Sequence, residues 1–513
     1  MTTFVRLFAC WCSLVVGMAT ASAQGDLTPA LIQKTVQANI QEFFDMLALP
    51  NDAVSAEDIR KNADWLEGAF RKRGFATRQL ENNGKPLVFA EYVRQARGAR
   101  TVLFYMHFDG MPVIPAQWAQ KSPWVATLKQ RNVGGQWEEI DRDKLKSGEI
   151  DPNWRLFARS ASDDKGPIMM FLNAFDTLKA AGLEPAINVK VLLDSEEEKG
   201  SPTIGTVATA NRELLRADAI VINDGPMHES NQPTIVFGNR GNTLVALTVY
   251  GPKVNLHSGH YGNYAPNPAQ RLAALLASMK DDSGRVTVKG YYDGVKLTEA
   301  ERKVMAEVPD DEPAILKRLG IAKPEAVGRN YQEALQFPSL NIRGMAAAAV
   351  GEKATNILPS HAVAEIDLRT TPGADPAYLT AAIENHIRAQ GFYLAKGEPA
   401  DEERGKYDKI ASLIPARGSK AAFTPIDSNL GAWAQSALAK TFASGGVDAK
   451  TVRIRMMGGS VPTDKLVDAL AVPFVIVPMV NNDNNQHSFD ENLRIGHLLN
   501  GTRAFSGLLR APF

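Results

Sequence analysis

Cysteine is nearly absent from this chain of 513 residues, and the two it has, Cys10 and Cys12, lie near its start. Everything downstream folds without disulfides and holds no thiolate to act as nucleophile or metal ligand. That excludes a structural Cys-type zinc site. A metal here has to be bound by His, Asp or Glu, which points to zinc, manganese or cobalt. Net charge is missing too. Lys and Arg number 57 and so do Asp and Glu, so no surplus draws the chain to nucleic acid or an anionic membrane. The apolar stretch Leu7–Met18 is too short for a comfortable membrane span, so no stable membrane insertion is expected. It follows Arg6 and precedes Ala21-Ser22-Ala23, the small-x-small form of a secretory cleavage site. A leader removed near Ala23 and export to the periplasm or beyond are expected, and both cysteines would leave with the leader. No internal repeat or long low-complexity segment appears.

At this length more than one core is expected. Leu27–Leu47 and Ala56–Arg73 space their apolar residues as helices do. From there to Phe237 short strands alternate with helices, the pattern of an α/β fold with a mainly parallel sheet and helices on both faces. Gly238–Gly241 interrupts it. Thr243–Tyr250 and Ala362–Leu368 then alternate apolar and polar residues like half-buried strands, and Pro268–Met279 and Pro376–Gln390 are helical. Lys280–Ser339 between them is charged and contains prolines, which marks an insertion. Helix and strand alternate again from Pro425, over Leu430–Phe442, Val452–Met456 and Val472–Val480. The expected layout is a leader (1–23), a main domain in two parts (24–237 and 423–513), and a smaller α+β domain (238–422) inserted between them.

Acids and imidazoles sit just past the strand-like runs. Thr101–Met106 leads into His107-Phe108-Asp109, Asn188–Leu193 into Asp194-Ser195-Glu196-Glu197-Glu198, and Ala219–Ile222 into Asn223-Asp224. Val472–Val480 runs out towards His487, and Asp163-Asp164 opens a helix-like stretch. In an open α/β sheet, ligands bind in the crevice outside the carboxyl ends of the strands, so such groups at several strand ends read as one metal site. His107 is a good zinc-type ligand, and Asp109 would point the same way and fix its tautomer by accepting the other N–H. Asp163-Asp164 could cap a helix and favour its dipole. A carboxylate's two oxygens also suit a bridge between cations about 3.5–4 Å apart. Three like charges repel in Glu196-Glu197-Glu198. A solvated loop is the ordinary explanation, and a metal ligand beside a free general base is the chemical one. Asp224 in an Asp-Gly turn and His487 are unremarkable singly. The ordered set carries the argument, and it implies a hydrolase.

The motifs HFDGMPV, ASDDKGP, DSEEEKGS, IND, LHSGHYGN, TNILPS, MMGGSVP and QHSFDENL stand in the order of one family. The chain resembles the M20 co-catalytic zinc peptidases, the clan of carnosinases, carboxypeptidases and acylases, over essentially its whole length after the leader. The resemblance implies two divalent metal ions, zinc ahead of manganese or cobalt, bridged by Asp163. His107 and Asp224 would complete one ion's ligands, and Glu198 and His487 the other's. Glu197 would be the general base and later the acid, Asp109 would steady His107, and Glu196 would be a bystander. His257 would stabilise the tetrahedral oxyanion, from the partner subunit in dimeric members, with His260 uninvolved. Asn356, Arg369 and the Gly458-Gly459-Ser460 loop would grip the substrate's backbone and terminal carboxylate, a task that suits an Arg fork.

The resemblance further implies a cis peptide between Asp163 and Asp164, and an inserted domain that serves as lid and dimerisation platform of a homodimer. The substrate would be a small peptide cleaved beside a free carboxylate, by a dipeptidase or carboxypeptidase, with an N-acyl amino acid and a deacylase as the alternative. Asp194-Ser195 departs from the Glu-Gly often found before the Glu pair in the carnosinase branch. The insertion at 280–339 looks more like that of the larger members. With all five ligands and Glu197 present, a non-catalytic binding protein on the same fold is the weaker rival.

Overall fold

The computed structural model describes residues 27–94, 98–416, 418–444, 446, 450–459, 461 and 463–513, without the Thr463 side chain. The expected leader and Ser460 lie outside the described residues.

The larger sheet has eight strands, in the order Ala76–Leu80, Leu87–Tyr92, Asn188–Asp194, Thr101–His107, Ala219–Ile222, Phe474–Ile476, Thr234–Val236, Val452–Ile454. Four of its seven pairings are parallel, and antiparallel pairs enter towards both edges. The four strands from Asn188–Asp194 to Phe474–Ile476 run parallel. Ala76–Leu80 pairs antiparallel with Leu87–Tyr92, which pairs antiparallel with Asn188–Asp194. The first two are joined by a short Asn-Asn-Gly turn, and strands so joined can only be antiparallel. Alternate residues of one strand serve opposite faces. Val102, Phe104 and Met106 pack into a core with the helices Pro29–Leu47, Lys165–Ala180, Asn429–Ser444 and Ile495–Arg510. Leu103 and Tyr105 pack on the other side, against Ile204–Ala210 and Thr463–Leu470. Burial on both faces is why these strands read as continuous apolar runs.

The second sheet has five strands, in the order Ser339–Ala346, His361–Thr370, Gly241–Tyr250, Ile410–Pro415, Tyr393–Leu394, antiparallel except for the last pair. Its inner residues Val245, Leu247 and Val249 pack on the helices Pro268–Ala277 and Pro376–Ala389. The other face is less covered, which gives the alternation seen in the sequence. Within 280–339 there are three short helices, Glu299–Ala306, Glu312–Leu319 and Tyr331–Ala334. A third, antiparallel sheet of Asn492–Arg494, Arg155–Phe157, Thr127–Arg131 and Trp137–Glu139 escaped the sequence reading. Three of its strands are three residues long, too short to show a period of two. Among the described residues no helix is long and apolar enough to cross a membrane.

Arg73 ties the helices flanking the first core together. It is buried and donates to both carboxylate oxygens of Glu42, at 2.9 and 3.0 Å, and to Asp176 at 2.9 Å. Removing it would leave two half-buried acids facing each other. Arg73→Met is expected to lower stability by about 3 kcal/mol. The check is a lower urea midpoint at unchanged slope. An unmoved midpoint would show that the pairing merely offsets its own desolvation.

Candidate metal centre

The central strands run parallel and in register, with His107 opposite Asp194, so their carboxyl ends open on one crevice. His107 ends its strand, Glu197 and Glu198 follow the next in a single tight turn, and Asp224 comes two residues after Ala219–Ile222. The small antiparallel sheet supplies the rest. Pairing of Arg155–Phe157 with Asn492–Arg494 sets the loop of Asp163 and Asp164 against the loop of His487. The first of these loops turns sharply into its helix. A Cβ on Gly166 would lie 2.3 Å from the Ala161 carbonyl oxygen, so no other residue fits there unshifted.

Two donor trios result. Ligand atoms of His107, Asp164 and Asp224 all lie within 4.8 Å of one another, and so do those of Asp163, Glu198 and His487. Asp163 links the two, with Oδ1 2.8 Å from His107 Nε2 and Oδ2 3.1 Å from His487 Nε2. His487 Nε2 is also 3.1 Å from Glu198 Oε2, and Asp224 Oδ1 is 3.9 Å from His107 Nε2. The Asp163–Asp164 peptide is cis. The sequence reading gave the Asp164 side chain no place in the site. Here its Oδ2 accepts the His107 backbone N–H at 3.1 Å, and its Oδ1 is buried with no hydrogen-bond partner among the described residues.

The four carboxyl groups of the trios, with Glu197 beside them, therefore share two imidazoles. Burial pushes the Asp224 carboxyl up to about 7, against the pull of His107. Burial and the Asp224 charge drive Glu197 well above the ordinary carboxylate range. For Asp163 burial acts in the same direction, but hydrogen bonds from His107 and His487 prevail and hold it below its usual value. His487 is lifted to about 10 by its hydrogen bonds to Asp163 and Glu198. The set offers imidazole nitrogens and carboxylate oxygens in two groups with a shared acid, plus one orphaned buried oxygen. That chemistry fits divalent cations bound through N and O.

Other acids hold the loops in place. Asp109 accepts the N–H of Glu197 at 3.0 Å on one oxygen and that of Glu198 at 3.1 Å on the other, and its Oδ1 lies 3.3 Å from His107 Nδ1. Fully buried Glu491 accepts the N–H groups of Ser162 and Asp163 at 2.9 Å, that of Ser160 at 2.8 Å, and Arg159 Nη1 at 2.8 Å. Asp194 accepts from the N–H groups of Ser195 and Glu196 and the hydroxyls of Tyr105 and Ser201. Glu196 turns away to Lys85 and Asn82. Glu491 and Asp194 were not assigned roles from sequence. The available signal was an acid inside a motif and an acid directly after an apolar strand.

None of the remaining predicted residues belongs to either trio. His257 is exposed, its Nδ1 accepting the Gly259 N–H at 3.0 Å and its ring 4.9 Å from that of His260. Asn356 is exposed, and its carbonyl accepts the Ser258 N–H at 3.0 Å. Arg369 lies on His361–Thr370 with Nε 3.5 Å from Asp367, and Gly459 is exposed. A cleft of about 570 Å³ opens on the side of Glu197, Glu198 and His487. Asn242, Ser419 and Lys465 also line it, none of which the sequence reading singled out.

Comparison with known proteins matches residues 103–511 to the model of peptidase family M20/M25/M40. Similar proteins include a Cys-Gly metallodipeptidase of Schizosaccharomyces pombe, 23% identical over 477 residues that cover 90% of each chain. A cysteinylglycine-S-conjugate dipeptidase of Corynebacterium striatum is 29% identical over 388 residues, 74% of this chain and 77% of that one. Among solved structures, an M20 family metallo-carboxypeptidase from Sulfolobus solfataricus superposes with a TM-score of 0.69 at 24% identity, over 92% of this chain and 98% of the other.

Binding of a cation requires the imidazoles and Asp224 to give up their protons. Lower pH keeps those protons on, so affinity must rise with pH. Zinc affinity is expected to increase about tenfold or more from about pH 6 to 8, with proton release on binding, in competition with a chromogenic chelator. A flat profile would show that no such protons are displaced.

Proposed function

The chain belongs to peptidase family M20/M25/M40, and we propose that within it the protein is a metal-dependent dipeptidase, cleaving the peptide bond beside a free carboxylate. The observation that carries this reading is the pair of donor trios joined by Asp163, with Glu197 next to them and outside both. Two relatives named as dipeptidases, similar over 90% and 74% of the chain, favour a dipeptide over a longer substrate. In this proposal His107, Asp163, Asp224, Glu198 and His487 hold two divalent ions, zinc first. Bound there, the ions polarise the scissile carbonyl and lower the pKa of a water.

The chain's own residues then do the following. Glu197 takes a proton from the attacking water onto a carboxylate oxygen as the new C–O bond forms. It passes that proton to the amine nitrogen as the C–N bond breaks. A carboxyl whose surroundings favour the protonated form is suited to keep the proton between these transfers. Asp109, bonded to the backbone of Glu197 and Glu198, fixes where both groups stand. Arg369 and the loop at 458–460 take the substrate's carboxylate, for which a guanidinium offers two parallel donors. His257, exposed in its own chain, acts on the oxyanion of a second copy, so the reading includes a homodimer formed through the inserted 238–422 unit. Export after removal of the leader completes the proposal.

Zinc-loaded protein is expected to release amine from dipeptides faster than from longer peptides or N-acetylated amino acids. Glu197→Gln should retain its metal and lose about 10²–10⁴-fold in kcat. Cleavage of the acetylated compounds alone would move the enzyme to deacylases, and undiminished turnover by Glu197→Gln would remove Glu197 as the base.

A further inference from the structure

Residues 46–52 end the first helix, Pro29–Leu47, and bond to three of the loops that carry the trios. Lys165, next to Asp164 and fully buried, donates Nζ to the Met46 carbonyl at 2.8 Å and the Leu49 carbonyl at 2.7 Å. A lysine at a helix C-terminus bonds the carbonyls there and suits the dipole. Asn51, two residues on from Leu49, is 0% exposed. Its amide nitrogen donates to the Phe108 carbonyl at 2.7 Å and to Ser160 Oγ at 2.9 Å. Its main-chain carbonyl accepts the Gly110 N–H at 2.9 Å. Asp52 lies 3.3 Å from Lys199, the residue after Glu198. From the other side, Asn62 of the helix Ala56–Lys72 donates to the Pro50 carbonyl at 2.7 Å.

Phe108 stands between His107 and Asp109, and Ser160 lies three residues ahead of Asp163. The Asn51 amide therefore spaces these two loops, and their approach leaves no slack. A Cβ on Gly110 would stand 2.4 Å from Ser160 Oγ and 3.0 Å from both polar atoms of the Asn51 amide. Asn51 Oδ1 is buried with no hydrogen-bond partner among the described residues. An acceptor left unused in the interior costs free energy, so the amide is placed for its donors. Those donors go to the loops of His107 and Asp163, two of the three ligands proposed for one ion. The second ion shares only Asp163. Its other ligands, Glu198 and His487, stand on loops to which the Asn51 amide makes no hydrogen bond among the described residues. The Asp52–Lys199 pair is about one-third exposed on both sides and contributes little.

We propose that Asn51 is a positioning residue of the metal centre: it sets the His107 loop against the Asp163 loop, and so governs the ion of His107 and Asp224 rather than that of Glu198 and His487. The inference rests on the two-ion reading of the site. It adds a residue that is itself no ligand, and Lys165 and Asn62 hold the segment from which that residue acts.

The test measures zinc affinities of the full-length protein by competition with a chromogenic chelator. Asn51→Leu keeps the side-chain volume and removes both donors. It should weaken one of two bound ions by about 10- to 100-fold, the cost of losing a group that orients a ligand. Single-ion backgrounds identify which. In His487→Ala the remaining ion is that of His107 and Asp224, and adding Asn51→Leu should weaken it by about the same factor. In His107→Ala the other ion remains, and adding Asn51→Leu should move it by no more than about twofold, as for independent sites. Ser160→Gly suits the left-handed backbone there, φ 61°, and removes one acceptor only. It should shift the same ion in the same direction by less. Arg73→Met, destabilised away from the centre, should keep both affinities. Equal weakening in the two backgrounds, or none in either, would show that Asn51 serves the fold alone, with the two-ion reading intact. Wild-type protein that takes up a single ion would remove that reading and this inference together.

Discussion

Asp163, Asp164, Asp224, Glu197 and Glu198 crowd around two imidazoles, and their mutual repulsion is what the surrounding structure is built to withstand. Two unit charges 4 Å apart repel by about 4 kcal/mol at an effective dielectric of about 20. Loops that carry several such groups would part unless something else held their backbones. A second tier of acids does so. Asp109 holds the Glu197–Glu198 turn, Glu491 holds residues 160–163, and Asp194 holds the start of its own loop. Each is buried and each accepts backbone N–H groups, so it satisfies donors that water cannot reach while its own charge is dispersed. Arg159 offsets Glu491 directly. Repulsion between the inner acids is thereby carried by hydrogen bonds on the outer ones.

The sheets decide which loops can share that crevice. Four adjacent parallel strands end on the same side, so three of the acid-bearing loops arrive there from strand direction alone. Asp163 and His487 have no such strand beneath them. They depend on the pairing of Arg155–Phe157 with Asn492–Arg494, a contact more than three hundred residues long in sequence and three residue pairs in extent. Glu491 lies beside one of those strands and bonds to the loop after the other, so anchor and ladder reinforce each other.

What could be read from the sequence follows the same division. His107, Glu197, Glu198 and Asp224 were legible because an apolar run and the group just past it are adjacent in the chain. Asp163 and His487 were legible only through the order of the motifs. The antiparallel pairs towards the edges of the large sheet were not, since the period of a strand says nothing about its direction. The small third sheet was hidden by strands too short to alternate. Asp164 and Glu491 act through atoms set by tertiary contacts, a buried oxygen and a fan of N–H donors, which leave no local pattern. The docking of residues 298–337 was equally invisible, as its partners Arg453 and Arg455 come about a hundred and fifty residues later.

That docking is unevenly held. Long insertions cost little loop entropy beyond a short one, so such a segment can be added without disturbing the strand ends that carry the acids. At the sheet edge, Arg455 is 6% exposed and Glu301 19%, so breaking the pair would strand a buried charge. At the far end, Arg318 and Glu229 are 58% and 47% exposed, and a pair in water at that level contributes little. Between these two, Asp310 and His228 lie 3.2 Å apart and are 13% and 7% exposed, so the segment is held at the sheet edge and again on the loop of Asp224, and only its Arg318 end is loosely tied.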